Sequence, residues 1–285
     1  MNPKNISLSV IETKDGQIFY DFVPIYMISS LFISRYRSLP DHIICSFNTE
    51  LHDLILLSSC TLTIESDRPE WFDESRYNHL YTLLRDYMSS LIVYEDTSLL
   101  VGQYAIICSR ARIQKAYGCH ILGMFDFSEI EQIERCEVWN ICDNSKIFNS
   151  FESSIYYMHN FSHIVFSKNN TRIYLMKDCT SIHDAQLNTY IEHMTDISHV
   201  DRLSYNSFIQ EMYKDSYVDE ATYKSSINLM DDNSYVNIMT DTSMVRFMKG
   251  RSKVLSMYHD TLVVNKEASC DVSSMHHNAK VLNII

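Results

Sequence analysis

The chain has 285 residues, of which 46% are hydrophobic and 21% charged, so it can bury a core and is not expected to be disordered. Its formal net charge is −12, which excludes nucleic-acid binding through the average surface and would require a local basic lining for any DNA contact. It holds only 5 Gly and lacks the Gly-rich loops that cradle phosphates, which excludes the common nucleotide-binding motifs.

The N-terminal residues lack the apolar region of a signal peptide. The apolar stretch 22–33 is interrupted by Pro and Ser and is too short to span a membrane. None of the eight cysteines forms a C-x-x-C pair, so we expect reduced thiols and an intracellular, reducing location.

In chain order, helix-like segments alternate with β-rich segments. Ile25, Ile28 and Phe32 have helical spacing and precede a β-rich run that starts near His42. A second amphipathic pattern, formed by Leu80, Leu83, Leu84 and Tyr87, precedes a hairpin-like segment that starts at Ser90.

Two further hairpin-like segments start at Ser162 and Ser234, so the three starts are equally spaced along the chain (162 − 90 = 234 − 162). The preceding segments 151–158 and 223–230 also align at this offset, with Ile155 and Met158 repeated as Ile227 and Met230. The pattern indicates an internal repeat of helix-plus-hairpin units, with helices near 75–88, 145–158 and 219–230.

The segment 119–139 carries an apolar strand, the step Phe125-Asp126-Phe127, acidic residues and a further strand. With the order of the predicted elements, it resembles the interdomain connector of DNA sliding clamps of the proliferating cell nuclear antigen type. The likeness covers roughly 75–265, while 1–74 and the last twenty residues match poorly.

The resemblance implies an α+β fold of two similar sliding-clamp domains, each made of two helix-plus-antiparallel-strand units and joined by an extended connector. The predicted divisions are an N-terminal clamp-like domain at 1–115, the connector at 116–135, a C-terminal clamp-like domain at 136–265 and a tail at 266–285.

The family's function would make this chain a non-catalytic polymerase processivity factor, without cofactors, in the nucleus or at a site of DNA replication. It would assemble into a ring, expected to be a homotrimer, encircle duplex DNA without sequence specificity and tether a polymerase or other client proteins. The abundance of Asn, Ile, Ser and Tyr fits an AT-rich genome, such as that of a virus.

Basic side chains on the predicted helices are the DNA-facing candidates, since a clamp contacts phosphates through such residues. They are Arg35, Arg37, Arg76, Arg85, Lys146 and Lys224. A solvated helix face is the competing interpretation, because Glu152, Asp219 and Glu220 lie on the same segments.

The apolar strip of the connector is the candidate groove for client peptides. Its residues are Ile121, Leu122, Met124, Phe125 and Phe127, although alternate members could be core. Ring closure would use edge strands at 103–109 and 185–192, for which internal strands are the alternative.

Enzyme and metal hypotheses find little support. His276-His277 lacks partners at ligand spacing, and His52-Asp53 and His183-Asp184 lack a nucleophile motif. Two other hypotheses stay open. One is a clamp-fold protein of another role, such as a checkpoint-clamp subunit or a transcription-associated tether. The other is a structural or interaction protein with a β-rich repeat and no DNA.

Overall fold

The computed structural model describes residues 5–23, 41–50 and 60–285, which divide into two compact units at 1–92 and 93–285. Each unit is described by itself below. Among the described residues, the one helix is not long and apolar enough to cross a membrane.

The first unit holds an antiparallel sheet and the helix α1 (Glu74–Ser90). Its strands are β1 (Asn5–Thr13), β2 (Ile18–Val23), β3 (His42–Glu50) and β4 (Thr61–Ile64), in the order β2-β1-β3-β4. The Asp73 carboxylate caps α1 by accepting the Arg76 N–H at 2.9 Å, and Leu80, Leu84 and Met88 form its buried face. The helix predicted near 75–88 is therefore confirmed.

The second unit is a β-solenoid of about 11 parallel coils. Its strands are β5 (Ile92–Val93), β6 (Thr97–Val101), β7 (Tyr104–Ile107), β8 (Arg112–Tyr117), β9 (His120–Met124), β10 (Glu129–Glu134), β11 (Glu137–Ile141), β12 (Lys146–Phe151), β13 (Ser154–Met158), β14 (His163–Lys168), β15 (Arg172–Met176), β16 (Ser181–Ala185), β17 (Tyr190–Met194), β18 (His199–Leu203), β19 (Phe208–Met212), β20 (Tyr217–Ala221), β21 (Ser226–Met230), β22 (Tyr235–Met239), β23 (Met244–Met248), β24 (Lys253–Met257), β25 (Leu262–Lys266), β26 (Asp271–Met275) and β27 (Lys280–Ile284).

Consecutive strands alternate between two sheets, and each strand pairs in parallel with the strand two places further along the chain. The odd sheet holds the 12 odd-numbered strands β5 to β27, and the even sheet holds the 11 even-numbered strands β6 to β26. Paired residues are 17 apart in the early coils, as in Ile130↔Ile147, and 18 apart later, as in Ile182↔Val200. One coil is therefore two half-coils of about nine residues, each a strand and a turn.

A simple pattern describes each half-coil from β13 to β24. The second and fifth strand residues point inward, the first, third and fourth point outward, and the ninth residue is a small side chain, usually Ser or Thr. In β21, for example, Ile227 and Met230 are fully buried and Ser234 closes the half-coil with no exposed surface. Stacking these positions coil on coil builds one continuous apolar core, which is the main stabilising contribution.

The clamp resemblance and the α+β class are wrong. The segments 145–158 and 219–230 form strands instead of helices, and the predicted connector at 116–135 lies within the solenoid. The proposed hairpin after Ser162 is two successive half-coils, because β14 and β15 lie in different sheets. The predicted ring edges at 103–109 and 185–192 include β7 and β17, each of which lies between two neighbours in its sheet.

Candidate interaction surface

The turns that follow the even-sheet strands, here called the even corner, change geometry along the solenoid. Four consecutive turns place two adjacent residues in the left-handed region. These pairs are Asn169-Asn170, Leu187-Asn188, Tyr205-Asn206 and Tyr223-Lys224, with φ between 48° and 65°. Left-handed Asn is common, whereas left-handed Leu and Tyr are uncommon because their side chains crowd the backbone.

The backbone of the even corner is joined from coil to coil. The N–H of Asn170 donates to the carbonyl of Leu187, Asn188 donates to Tyr205, and Asn206 donates to Tyr223, each at 3.1 Å. These bonds need only the backbone, so they explain why the conformation persists without explaining the choice of Leu and Tyr.

Leu187, Tyr205 and Tyr223 form an exposed row on three successive coils, here called the corner ridge. Their exposed fractions are 41%, 45% and 52%. The two tyrosine rings stack at 4.8 Å with planes 7° apart. Asn169 and Asp241 occupy the equivalent position in the coils before and after the ridge.

The corner ridge carries little charge in a chain whose net charge is −12. Its flanking left-handed residues are Asn188, Asn206 and Lys224, and only Lys224 is charged. Beyond the ridge, Asp241 accepts the hydroxyl of Thr222, which lowers the pKa of that carboxyl. The ridge is therefore a mainly apolar strip whose tyrosine hydroxyl groups can form hydrogen bonds. The amide side chains of Asn188 and Asn206 follow it along the turns.

The turns after the odd-sheet strands, the odd corner, hold a row of carboxylates with a structural role. Asp126 accepts the backbone N–H of Ser109 at 3.0 Å, Asp178 that of Asn160 at 3.1 Å, and Asp232 that of Lys214 at 3.1 Å. The Lys214 ammonium also binds Asp196 and lowers the pKa of that carboxyl. Each of these carboxylates thus joins one coil to the next.

The backbone approach at the odd corner is close at Gly250. Its φ is 63°, and an added Cβ would lie 2.8 Å from the backbone nitrogen of Asp232. Only glycine fits this position without a shift of the neighbouring coil.

The outer face of the even sheet also pairs its polar groups along the stack. His183 lies 2.7 Å from the Asp201 carboxylate, and Arg202 lies 3.5 Å from that of Glu220. These four residues line part of an open recess of about 420 Å³. Beside them, His199, Tyr217 and Tyr235 stack at 4.8 and 5.0 Å. Within the described ranges, no three His, Cys, Asp or Glu side chains are grouped as metal ligands.

The structure divides the described DNA-facing candidates between the two units, with Arg76 and Arg85 in the first and Lys146 and Lys224 in the second. Arg35 and Arg37 lie outside the described residues. On α1, Arg76 lies 3.6 Å from the Glu12 carboxylate and over the Trp71 ring, and Arg85 pairs with Asp86 at 3.1 Å.

The other two basic candidates are in the solenoid and not on helices. Lys146 begins β12 with its ammonium 4.4 Å from the centre of the Phe148 ring. Lys224 is exposed at the even corner, beside the ridge.

Most of the predicted client strip is core. Ile121, Leu122 and Met124 have no exposed surface and Phe125 has 2%, so they pack inside the solenoid. Phe127 alone is exposed, at 56%, and lies beneath the Arg110 guanidinium. The strip as a whole cannot form a groove, because its side chains point inward.

The eight cysteines, all of them described, are free thiols, and only Cys179 is partly exposed. Cys119 and Cys136 lie on successive coils, with the Cys119 N–H 3.4 Å from the Cys136 sulfur. Hydrogen bonding from Cys136 lowers the pKa of the Cys119 thiol. Both thiols are about 1% exposed, which closes them to substrates.

Sequence reasoning missed the corner ridge, although a signal was present. Leu-Asn, Tyr-Asn and Tyr-Lys occur at 187, 205 and 223, a constant interval of one coil. Comparison of the chain with protein-family models, curated proteins and solved structures finds no match.

Proposed function

We propose that this protein is a non-catalytic interaction scaffold, in which the solenoid presents the corner ridge to a partner protein. The observation that carries the proposal is the row of Leu187, Tyr205 and Tyr223, which are bulky, exposed and left-handed on three successive coils. Among the functions suggested by the sequence, the proposal corresponds to a structural or interaction protein that does not bind DNA.

The left-handed residues of the corner ridge lower the free energy of unfolding. A left-handed conformation costs a residue with a Cβ roughly 1–2 kcal/mol. The stacking of the Tyr205 and Tyr223 rings offsets only part of this cost, since an aromatic pair contributes about 0.5–1.5 kcal/mol. The fold does not demand these residues, since Asn169 serves at the same position. A binding role accounts for the choice, because Tyr supplies a large apolar area and a hydroxyl group at interfaces.

The charge favours a protein partner over a nucleic acid. Lys224 is the only cation among the ridge residues and their left-handed neighbours, too few to offset the repulsion of phosphates by a chain of net charge −12. The DNA-clamp function rested on the clamp fold, and the solenoid gives it no support.

The first test replaces Tyr205 with a photo-crosslinking benzoylphenylalanine in cells that express the chain. We expect a defined protein adduct from the ridge position. The matched control carries the same group at Phe161, an aromatic residue that is 64% exposed at the odd corner. Equal adducts from both positions, or none from Tyr205, would overturn the proposal.

The second test replaces the three ridge residues together with Asn. The variant should lose affinity for the crosslinked partner by at least about 30-fold, the usual effect of losing interface hot spots. Its unfolding free energy, measured by chemical denaturation, should stay the same or rise, because Asn tolerates the left-handed region. Unchanged affinity in this stable variant would remove the ridge from the interface.

A further inference from the structure

The row of turn residues that contains the corner ridge changes in residue type after Tyr223. In the next three coils the same position holds Asp241, His259 and His277, each left-handed, with φ of 57°, 59° and 59°. These residues are one coil apart, because 259 − 241 and 277 − 259 are both 18. Imidazole nitrogens and carboxylate oxygens are common metal ligands, so this part of the row has the residue types of a metal site.

The coil places His259 directly beside His277. Their ring centres are 5.2 Å apart with planes 3° apart, and both side chains are exposed. The sequence alone shows only the dipeptide His276-His277, which has no further ligand at a short interval. The fold supplies the missing partner from the preceding coil, on a surface that dissolved ions can reach.

Asp241 adds a negative charge on the other side of His259. Its carboxylate accepts the hydroxyl groups of Thr222 at 2.5 Å and Thr240 at 3.0 Å. The bond from Thr222 is the main reason why the pKa of this carboxyl lies below its ordinary value, and His259 acts in the same direction. An ionised carboxylate beside the histidine pair, in a chain of net charge −12, attracts a cation.

We propose that His259 and His277 together bind a divalent transition-metal ion, with Zn²⁺ as the expected ion. Imidazole suits zinc, copper and nickel, whereas magnesium and calcium prefer oxygen ligands. Within the described ranges no three His, Cys, Asp or Glu side chains are grouped as ligands, so water completes the coordination of the ion. Asp241 favours the ion through its charge. This inference does not depend on the corner ridge or on its partner.

The pair is close to the geometry that chelation requires. Zinc binds imidazole nitrogen at about 2.0–2.1 Å, so two nitrogens on one ion are at most about 4.2 Å apart. The terminal torsion of histidine is broad, so two exposed rings can turn toward one ion at little cost. The turns that carry the two histidines follow β24 and β26, which pair in register up to Met257↔Met275. The backbone therefore holds both ligands at neighbouring positions before the ion arrives.

The test is isothermal titration calorimetry of the full chain with Zn²⁺ alone. We expect one ion to bind at the pair, and we expect His259→Asn and His277→Asn each to weaken binding at least about tenfold. Even a group that only orients a metal ligand contributes about 10–100-fold to metal affinity. Both variants should fold, because Asn tolerates the left-handed region.

His276→Asn is the matched control. Its ring is stacked on Tyr258 at 4.8 Å instead of on the pair, so this variant should bind zinc as the wild-type chain does. A wild-type chain that binds no zinc, or an equal loss in His276→Asn, would overturn the proposal. Cys179→Ser should also bind normally, although Cys179 is the one partly exposed thiol among the eight described cysteines. Loss of binding in that variant would place the ion at the thiol instead.

Electron paramagnetic resonance with Cu²⁺ as the probe tests the ligand set. The spectrum should show nitrogen couplings from two imidazoles, and from one in His277→Asn. Asp241→Asn should weaken binding less than the loss of either histidine, and an equal loss would contradict the two-histidine site. The adduct at Tyr205 should be unchanged in both histidine variants, which separates this inference from the proposed function.

Discussion

At the scale of single residues, the half-coil pattern has few exceptions, and Asp184 is one of them because an outward position holds a buried side chain. It occupies the fourth position of β16, which is outward in neighbouring strands, yet it is only 8% exposed. Its nearest cation, Arg202, lies 3.7 Å away, and one carboxylate oxygen finds no hydrogen-bond partner in the described chain. Burial raises the pKa of this carboxyl, so its charged form costs stability.

We predict that Asp184→Asn raises the free energy of unfolding at pH 7. A carboxyl whose folded pKa is raised takes up a proton on folding, so its stability cost is absent below the ordinary Asp pKa and grows as pH rises through the folded pKa. The gain from Asn should therefore vanish in acid, below the ordinary Asp pKa, and be largest at neutral pH, as measured by denaturation at several pH values.

The control for this prediction is Asp260→Asn, because Asp260 is exposed at a turn. Its effect should stay within about 0.5 kcal/mol, the usual range for surface substitutions. A loss of stability at pH 7 in Asp184→Asn would show that the ion pair with Arg202 outweighs the cost of burial.

At the scale of elements, the errors of prediction have a physical cause. Ile155 and Met158, the second and fifth residues of β13, both point inward and are three residues apart. That spacing equals i, i+3 on a helix, and the segments 145–158 and 219–230, which contain it, were predicted as helices. The same helical spacing correctly predicted the helix that contains Leu80 and Leu84. There the helix extends over 17 residues, and a strand cannot satisfy a helical pattern of that length.

The repeat itself was predictable, but its period was not recognised. The interval between Ser162 and Ser234 is four whole coils, and both serines close half-coils inside the core. The third predicted start, Ser90, lies at the end of α1 and is not part of the repeat. The ridge could not be predicted as a surface, because that requires knowing which residues form the turns of the even corner.

We predict that the solenoid tolerates loss of one whole coil. Deleting 181–198 removes one full period and joins Thr180 to His199, so every later inward position keeps its phase. The variant should fold cooperatively with a modest loss of stability, since only nearest-neighbour contacts are removed. Circular dichroism and chemical denaturation measure this outcome.

A shorter deletion, 181–193, serves as the comparison. It is not a whole number of half-coils, so it shifts the later inward positions out of phase with the earlier coils, and charged side chains would enter the core. We expect this shorter deletion to prevent folding of the solenoid. If the two deletions have the same effect on folding, the repeating pattern of the half-coil does not determine whether the coils form.

At the scale of the whole molecule, the division at 92/93 separates two modes of stabilisation. The first unit packs one helix and an antiparallel sheet, whereas the solenoid adds nearly equal coils that each contact their neighbours. The predicted boundaries at 115, 135 and 265 followed the clamp resemblance, whereas the structure divides the chain after Ile92. The intracellular location and the ring assembly stay predictions, because the structure does not test them.

We predict a gradient of amide hydrogen exchange along the solenoid. Amides of central strands such as β16 to β20 lie between two neighbours and should exchange slowly. Amides of β27, which has a neighbouring strand on one side only in the described chain, should exchange faster. Uniform exchange across all coils would indicate one global opening instead of coil-by-coil behaviour.

The hydrogen bonds between coils run along the solenoid axis, and this gives the molecule a particular response to force. Tension applied along that axis pulls directly on the ladder of one coil at a time, so coils should peel away singly. Each released coil would lengthen the chain by about 55 Å, since an extended residue spans about 3.4 Å and a coil's rise is about 4.8 Å. The solenoid would then act as an extensible link whose length increases in equal steps.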